Sequence, residues 1–166
     1  MSFKSFLLKK MILWYKIPTY VKWKKSVSGI GIIYTETLEM MQEKYGSEGV
    51  ENLNDVMYNI GLRQATEILE MLDLQKNLEG CAYVLLTMHR MFGIRSKIVH
   101  NDNNRIVIHA TKCQWGGHIP KWNAGTCISI DHYEAGLIEG ILPHSKHEYT
   151  KRRSCGNNIC ELVIKL

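Results

Sequence analysis

The feature that most constrains this chain is a change of hydrophobic period at Arg95. Before it, apolar residues recur three or four apart. Leu53, Val56, Met57, Ile60, Ala65, Ile68, Leu69 and Leu72 make one stripe, and Leu78, Ala82, Leu85, Leu86 and Met88 make another. Such spacing places each set on one side of a helix. After Arg95, segments 97–100 and 105–111 are rich in Ile and Val and read with a period of two, as strands do. Asn101-Asp102-Asn103-Asn104 between them is turn chemistry, because Asn and Asp tolerate left-handed backbone.

The pattern predicts a helix over 35–45 stopped by Gly46, a helix or a broken pair over 50–74 with the break near Gly61, and a helix over 77–92. A further helix is predicted over 126–142. Strands are predicted over 147–154 and 159–166, joined by Gly156-Asn157-Asn158. On the strand over 105–111, Ile106, Ile108 and Ala110 share one face while Val107, His109 and Thr111 share the other; on the last strand Cys160, Leu162, Ile164 and Leu166 align. Helices, hairpin, helix, hairpin is the order of an α+β domain: N-terminal helices packed on an antiparallel sheet built from two hairpins. A chain of 166 residues fits one such domain.

Net charge is +5, but residues 1–25 hold seven lysines and no acid, so the remainder carries 5 − 7 = −2. The basicity belongs to an arm, residues 1–28, ahead of a single domain over 29–166. Among its lysines the arm carries Phe3, Phe6, Ile12, Trp14, Tyr15 and Trp23. That mixture suits an anionic membrane surface. It suits better aromatics packed on the domain or on a second subunit of a homo-oligomer, with the lysines solvated, because long basic side chains commonly cover apolar surface. Pro18 interrupts any long helix there. Charge confined to one end, with no accompanying reading motif, argues against nucleic acid as a partner.

Five cysteines are an odd number, and the apolar run 11–15 is too short for a secretory core or a membrane span. The expectation is reduced thiols and a cytoplasmic protein. Four of the thiols, Cys113, Cys127, Cys155 and Cys160, fall in the last third. Their number would satisfy zinc or an iron–sulfur cluster. No C-x2-C pair is present, however, and Cys155 and Cys160 read equally as small residues flanking a turn.

Nucleophilic chemistry is the alternative. Cys113 ends a strand and opens a Gly-rich loop over 112–125 that holds Trp115 and Trp122. Backbone N–H groups at Gly116-Gly117 could face an oxyanion, with His109, His118 or His132 as base. Asp131 and Glu134 share a helix face with Cys127, a placement that serves acid–base work or merely solvates a helix. Cys81 reads as a buried small hydrophobe, and His89 as a surface or helix-end residue.

Lys112-Cys113-Gln114-Trp115, Cys127 with Asp131, the run Tyr149-Thr150-Lys151-Arg152-Arg153, and the closing Gly156-Asn157-Asn158-Ile159-Cys160-Glu161-Leu162 resemble the L-2-amino-thiazoline-4-carboxylic acid hydrolase-like family. The ending is also similar to that of 4-vinyl reductase domains, and the likeness spans about residues 30–166. The first resemblance implies a hydrolase that opens a small cyclic C–N substrate to an N-carbamoyl product. Cys113, Asp131 and His109 would then be catalytic, and Trp115, Cys127 and Glu134 would bind substrate. The second implies a non-catalytic pocket for a small-molecule ligand, a hydrocarbon or tetrapyrrole, or a metal-binding domain; a cysteine of that family's zinc site falls near Arg152 here, so any metal centre would need Cys113, Cys127, Cys155 or Cys160 in a new combination.

Overall fold

A computed structural model describes residue 7, residues 17–116 and residues 118–166. Most of the basic arm, with Phe3, Phe6, Ile12, Trp14 and Tyr15, lies outside the described residues. The elements in chain order are helix α1 (Thr19–Met71), helix α2 (Leu78–Met91), strands β1 (Arg95–Asn101) and β2 (Arg105–Lys112), helix α3 (Ala124–Ile141), strand β3 (Lys146–Lys151), a 3-10 turn (Arg153–Cys155) and strand β4 (Cys160–Lys165). The four strands form one antiparallel sheet in the order β1-β2-β4-β3, so the two hairpins meet along β2 and β4. The predicted α+β class is the observed one.

Helix α1 is a folded-back hairpin. Gly46 sits at φ 65° and ψ −148°, a conformation closed to residues with a Cβ, and the helical path breaks there. Tyr34 and Asn54 both bond the same Ser129 hydroxyl, although twenty residues of unbroken helix would span about 30 Å. The break therefore falls at Gly46; at Gly61, the other expected site, the helix continues.

Pro18 stands immediately before the helix, at its N-cap, as its missing N–H favours. The helix thus begins inside the segment read as arm and runs through residue 28. Trp23 donates its indole N–H to the Met91 carbonyl (2.8 Å), and Val27 is buried. This part of the arm packs its aromatic side chain on the domain.

Asn caps fix the starts of the other helices. The Asn77 side chain accepts from Gly80 N–H (2.8 Å), and that of Asn123 from Thr126 N–H (3.1 Å). In the first hairpin Asp102 Oδ1 accepts the N–H groups of Asn104 and Arg105, both at 2.8 Å. The second hairpin is looser. Strand β3 ends at Lys151 rather than at 154, and the 3-10 turn closes at Gly156 with φ 90°.

The main core joins Ala65, Ile68 and Leu69 of α1, Val84 and Leu85 of α2, and Leu137, Ile138 and Ile141 of α3 to the inward sheet residues Ile106, Ile108, Leu162 and Ile164. A smaller cluster of Val27, Trp115 and Ile119 lies beside it, with Trp23, Phe92 and Trp122 against it. Trp115 donates its indole N–H to the Val27 carbonyl (2.9 Å), stacks on Trp122 at 5.0 Å and tilts against Phe92 at 5.0 Å. This second cluster is what the tryptophan loop is built around.

Candidate functional site

Between the two clusters lies a cavity of about 420 Å³. Its walls come from both arms of α1, the end of α2, the end of β2 with the tryptophan loop, one face of α3, and the β3–β4 turn. Most of the lining is apolar: Ile30, Ile33, Met57, Ile60 and Ile130 stand beside Trp115 and Trp122. The charged side chains Lys112, Glu134, Arg152 and Arg153 are concentrated on the side formed by α3, the sheet and the β3–β4 turn.

At the centre of that side is Glu134. Its Oε1 accepts from His89 Nε2 (3.0 Å), and its Oε2 accepts from His147 Nε2 (3.2 Å) and from the Tyr149 hydroxyl (2.8 Å). His89 Nδ1 in turn meets the Ser96 hydroxyl at 2.9 Å, so both ring nitrogens are engaged. Burial alone would raise the Glu134 pKa, but the two imidazoles outweigh it and hold the carboxyl below its usual range. Burial and the Glu134 charge push the Tyr149 hydroxyl well above its usual value, so it stays a donor.

One helical turn before Glu134, Asp131 faces the guanidinium of Arg152 as an ion pair, without a well-directed hydrogen bond at Oδ2. Burial and the neighbouring Glu134 charge raise the Asp131 pKa well above normal, and Arg152 opposes them only in part. The Arg152 guanidinium also sits over the Tyr149 ring, its carbon 4.4 Å from the ring centre. The two acids on this helix face therefore differ: Glu134 is a satisfied anion, and Asp131 is held toward its neutral form.

The residues singled out from sequence separate in space. Cys113, Trp115, Cys127, Glu134 and Cys160 all line the cavity, and Asp131 is bonded to Arg152 of its lining. His109 is not there. It sits on the opposite face of β2 from Ala110 and bonds Glu161 (2.7 Å), because alternate strand residues point to opposite sides of the sheet. It is thus misplaced for a base acting on Cys113. Among the lining residues the histidine is His89, which lies in the last turn of α2, the helix-end placement its sequence position allows, but is buried and not at the surface.

The four late thiols do not assemble. Cys155 is exposed on the 3-10 turn, away from the cavity lining. The other three sulfurs each take an N–H: Cys113 from Gly116 (3.5 Å), Cys127 from the Trp122 indole (3.0 Å) and Cys160 from Arg153 (3.3 Å). Burial raises the pKa of Cys127 and Cys160, opposing the thiolate form that metals require. Among the described residues no three His, Cys, Asp or Glu side chains are grouped to hold one metal ion. The donor set does not fit the four-thiolate zinc or iron–sulfur centre.

Sequence reasoning missed His89, His147, Tyr149 and Arg152 as site residues. A usable signal existed for His89, which falls four residues after Leu85 on the buried stripe of α2. The rest depend on how the second hairpin docks on α3.

No protein-family model and no curated protein sequence matches this chain. Solved structures do match its fold. One is a trafficking protein particle complex subunit 3 from Naegleria fowleri covalently bound to palmitic acid, with a TM-score of 0.63 and 16% identity over 86% of this chain and 96% of that one. Another is the phenol-responsive sensory domain of the transcription activator PoxR with phenol, with a TM-score of 0.57 and 14% identity over 84% of this chain and 73% of that one. At such identities the likeness is one of fold. No helix among the described residues is long and apolar enough to cross a membrane.

Proposed function

We propose that this chain is a binding domain that takes up a small, mainly apolar molecule in the cavity and performs no chemistry on it. The cavity itself carries the reading: about 420 Å³ walled chiefly by aliphatic and aromatic side chains, with the Glu134 carboxylate in its wall already engaged by His89 and Tyr149. Glu134 accepts three bonds and Asp131 faces Arg152, so both acids of this helix face already have partners within the protein. Two proteins of the same fold were solved with palmitic acid and with phenol, an aliphatic and an aromatic small molecule.

Tryptophan emission offers a direct test, since Trp115 and Trp122 both line the space. Titration with 1-decanol or naphthalene should give a saturable change. Ala110→Phe, which places a ring in the cavity wall, should abolish it while leaving the circular dichroism spectrum intact. A wild-type response no larger than that of the variant would overturn the reading.

A hydrolase of the thiazoline-opening kind has one observation in its favour, the Cys113 thiol in the cavity wall. Turnover of 2-aminothiazoline-4-carboxylate by the wild type that is lost in Cys113→Ala would establish that reading. Absence of turnover in the wild type would dispose of it.

A further inference from the structure

The charged side chains in the cavity wall are distributed unevenly. Lys112 at the end of β2 and Arg152 and Arg153 at the β3–β4 turn all contribute to the lining, whereas the acid among the lining residues is Glu134. Glu134 is saturated by His89, His147 and Tyr149. Lys112 and Arg153 are exposed, and among the described residues neither has a carboxylate within ion-pairing distance. Arg152 is fixed by its stack on Tyr149 and engages Asp131 on one side. A guanidinium carries five N–H donors in a planar fork, so a single carboxylate contact leaves donors over.

We propose that the molecule held in the cavity is an amphipathic monoanion: a carboxylic acid whose aliphatic or aromatic body fills the apolar space and whose carboxylate rests on Arg152, Arg153 and Lys112. This inference depends on the binding reading above and adds the head group to it. An apolar wall with unpaired cations at one side selects by both parts of the ligand. The body is drawn from water by burial, and the carboxylate meets donors whose geometry matches it. A neutral head group forgoes the charge-assisted bonds. A cationic one meets Lys112 and Arg153 as like charges, and the field of the three cations raises the local concentration of anions before contact.

The test compares three ligands with one ten-carbon chain: decanoate, 1-decanol and decyltrimethylammonium, titrated by tryptophan emission at pH 7 and low salt. Decanoate should bind about tenfold or more tightly than decanol, with decyltrimethylammonium weakest. The preference should shrink as salt is raised. In the double variant Lys112→Glu with Arg153→Glu the preference for decanoate should collapse toward parity, with residual decanol binding reporting that the cavity still forms. Decanol binding as tightly as decanoate to the wild type, or a preference that survives the double variant, would overturn the anionic head group while leaving the cavity reading standing. Failure of all three ligands to bind would overturn both.

Discussion

Glu134 illustrates how one side chain can hold a site together without doing chemistry. Its carboxylate is the shared acceptor for donors from α2 and β3, namely His89, His147 and Tyr149. Glu134→Ala leaves those buried donors without a partner and should cost roughly 1–3 kcal/mol in urea denaturation. Glu134→Gln, which keeps one acceptor oxygen, should cost less, and equal losses in the two variants would show that the acceptor role is not what matters. At this scale the sequence was partly legible. The face shared by Cys127, Asp131 and Glu134 follows from helical spacing alone, and all three reach the cavity or a residue that lines it. His109 failed because strand alternation leaves two faces, and the choice of face as the wet one or the cavity one is made by the packing of α2 and α3. His147 and Tyr149 were illegible for a related reason: a strand residue finds its partner only when the sheet closes.

Elements meet here through backbone-level contact between α1 and α3. A Cβ on Gly136 would collide with the Tyr58 carbonyl, and one on Gly61 with the Tyr133 carbonyl. Gly136→Ala should therefore force the helices apart and cost about 1–3 kcal/mol. Gly29, on α1 with nothing within 4 Å of a Cβ, provides the control: Gly29→Ala should leave stability unchanged or raise it by up to about 1 kcal/mol. Thermal melts of the two variants should move in different directions, and a parallel shift would remove the close-approach argument. The element boundaries that sequence predicts best are those carrying local chemistry: the stop at Gly46 and the turn over 101–104. The start of α1 was misplaced, because the stripe that holds its first turns to the domain is short, Trp23 and Val27, and is interrupted by lysines. The third strand was overextended because Arg152 to Ser154 include no Gly, Pro or Asn to mark its end, and the 3-10 turn closing at Gly156 bends them away.

For the whole molecule, the acids titrate against one another. Glu134 is held below the usual carboxylate range by its imidazoles, against the effect of burial. Asp102 is lowered to about 2 by its hydrogen bond with His100 and by backbone N–H groups, and Glu161 to about 2 by Thr150, His109 and Lys151. A carboxyl with a lower pKa in the fold stabilises it above the unfolded value, and that stability is lost as pH falls through the folded value. Asp131 has the opposite sign: its pKa is raised by burial and by Glu134, so its contribution is present at low pH and is lost as pH rises through the folded value. Three groups against one predict a melting temperature that declines as pH drops from about 5 to about 2. The four groups separate by salt and by substitution. Asp102 and Glu161 are coupled through surface contacts that ions screen, whereas Glu134 is enclosed, so high salt should flatten part of the acid limb and leave the rest. The remaining slope should fall in Glu134→Gln, and Asp131→Asn should flatten the opposing trend on the neutral side. Melts by circular dichroism between about pH 2 and pH 8, roughly the range over which carboxyls and imidazoles titrate, measure both. An acid limb in Glu134→Gln as steep as that of the wild type at high salt would mean that the buried acceptor at the cavity does not govern the acid stability of the fold.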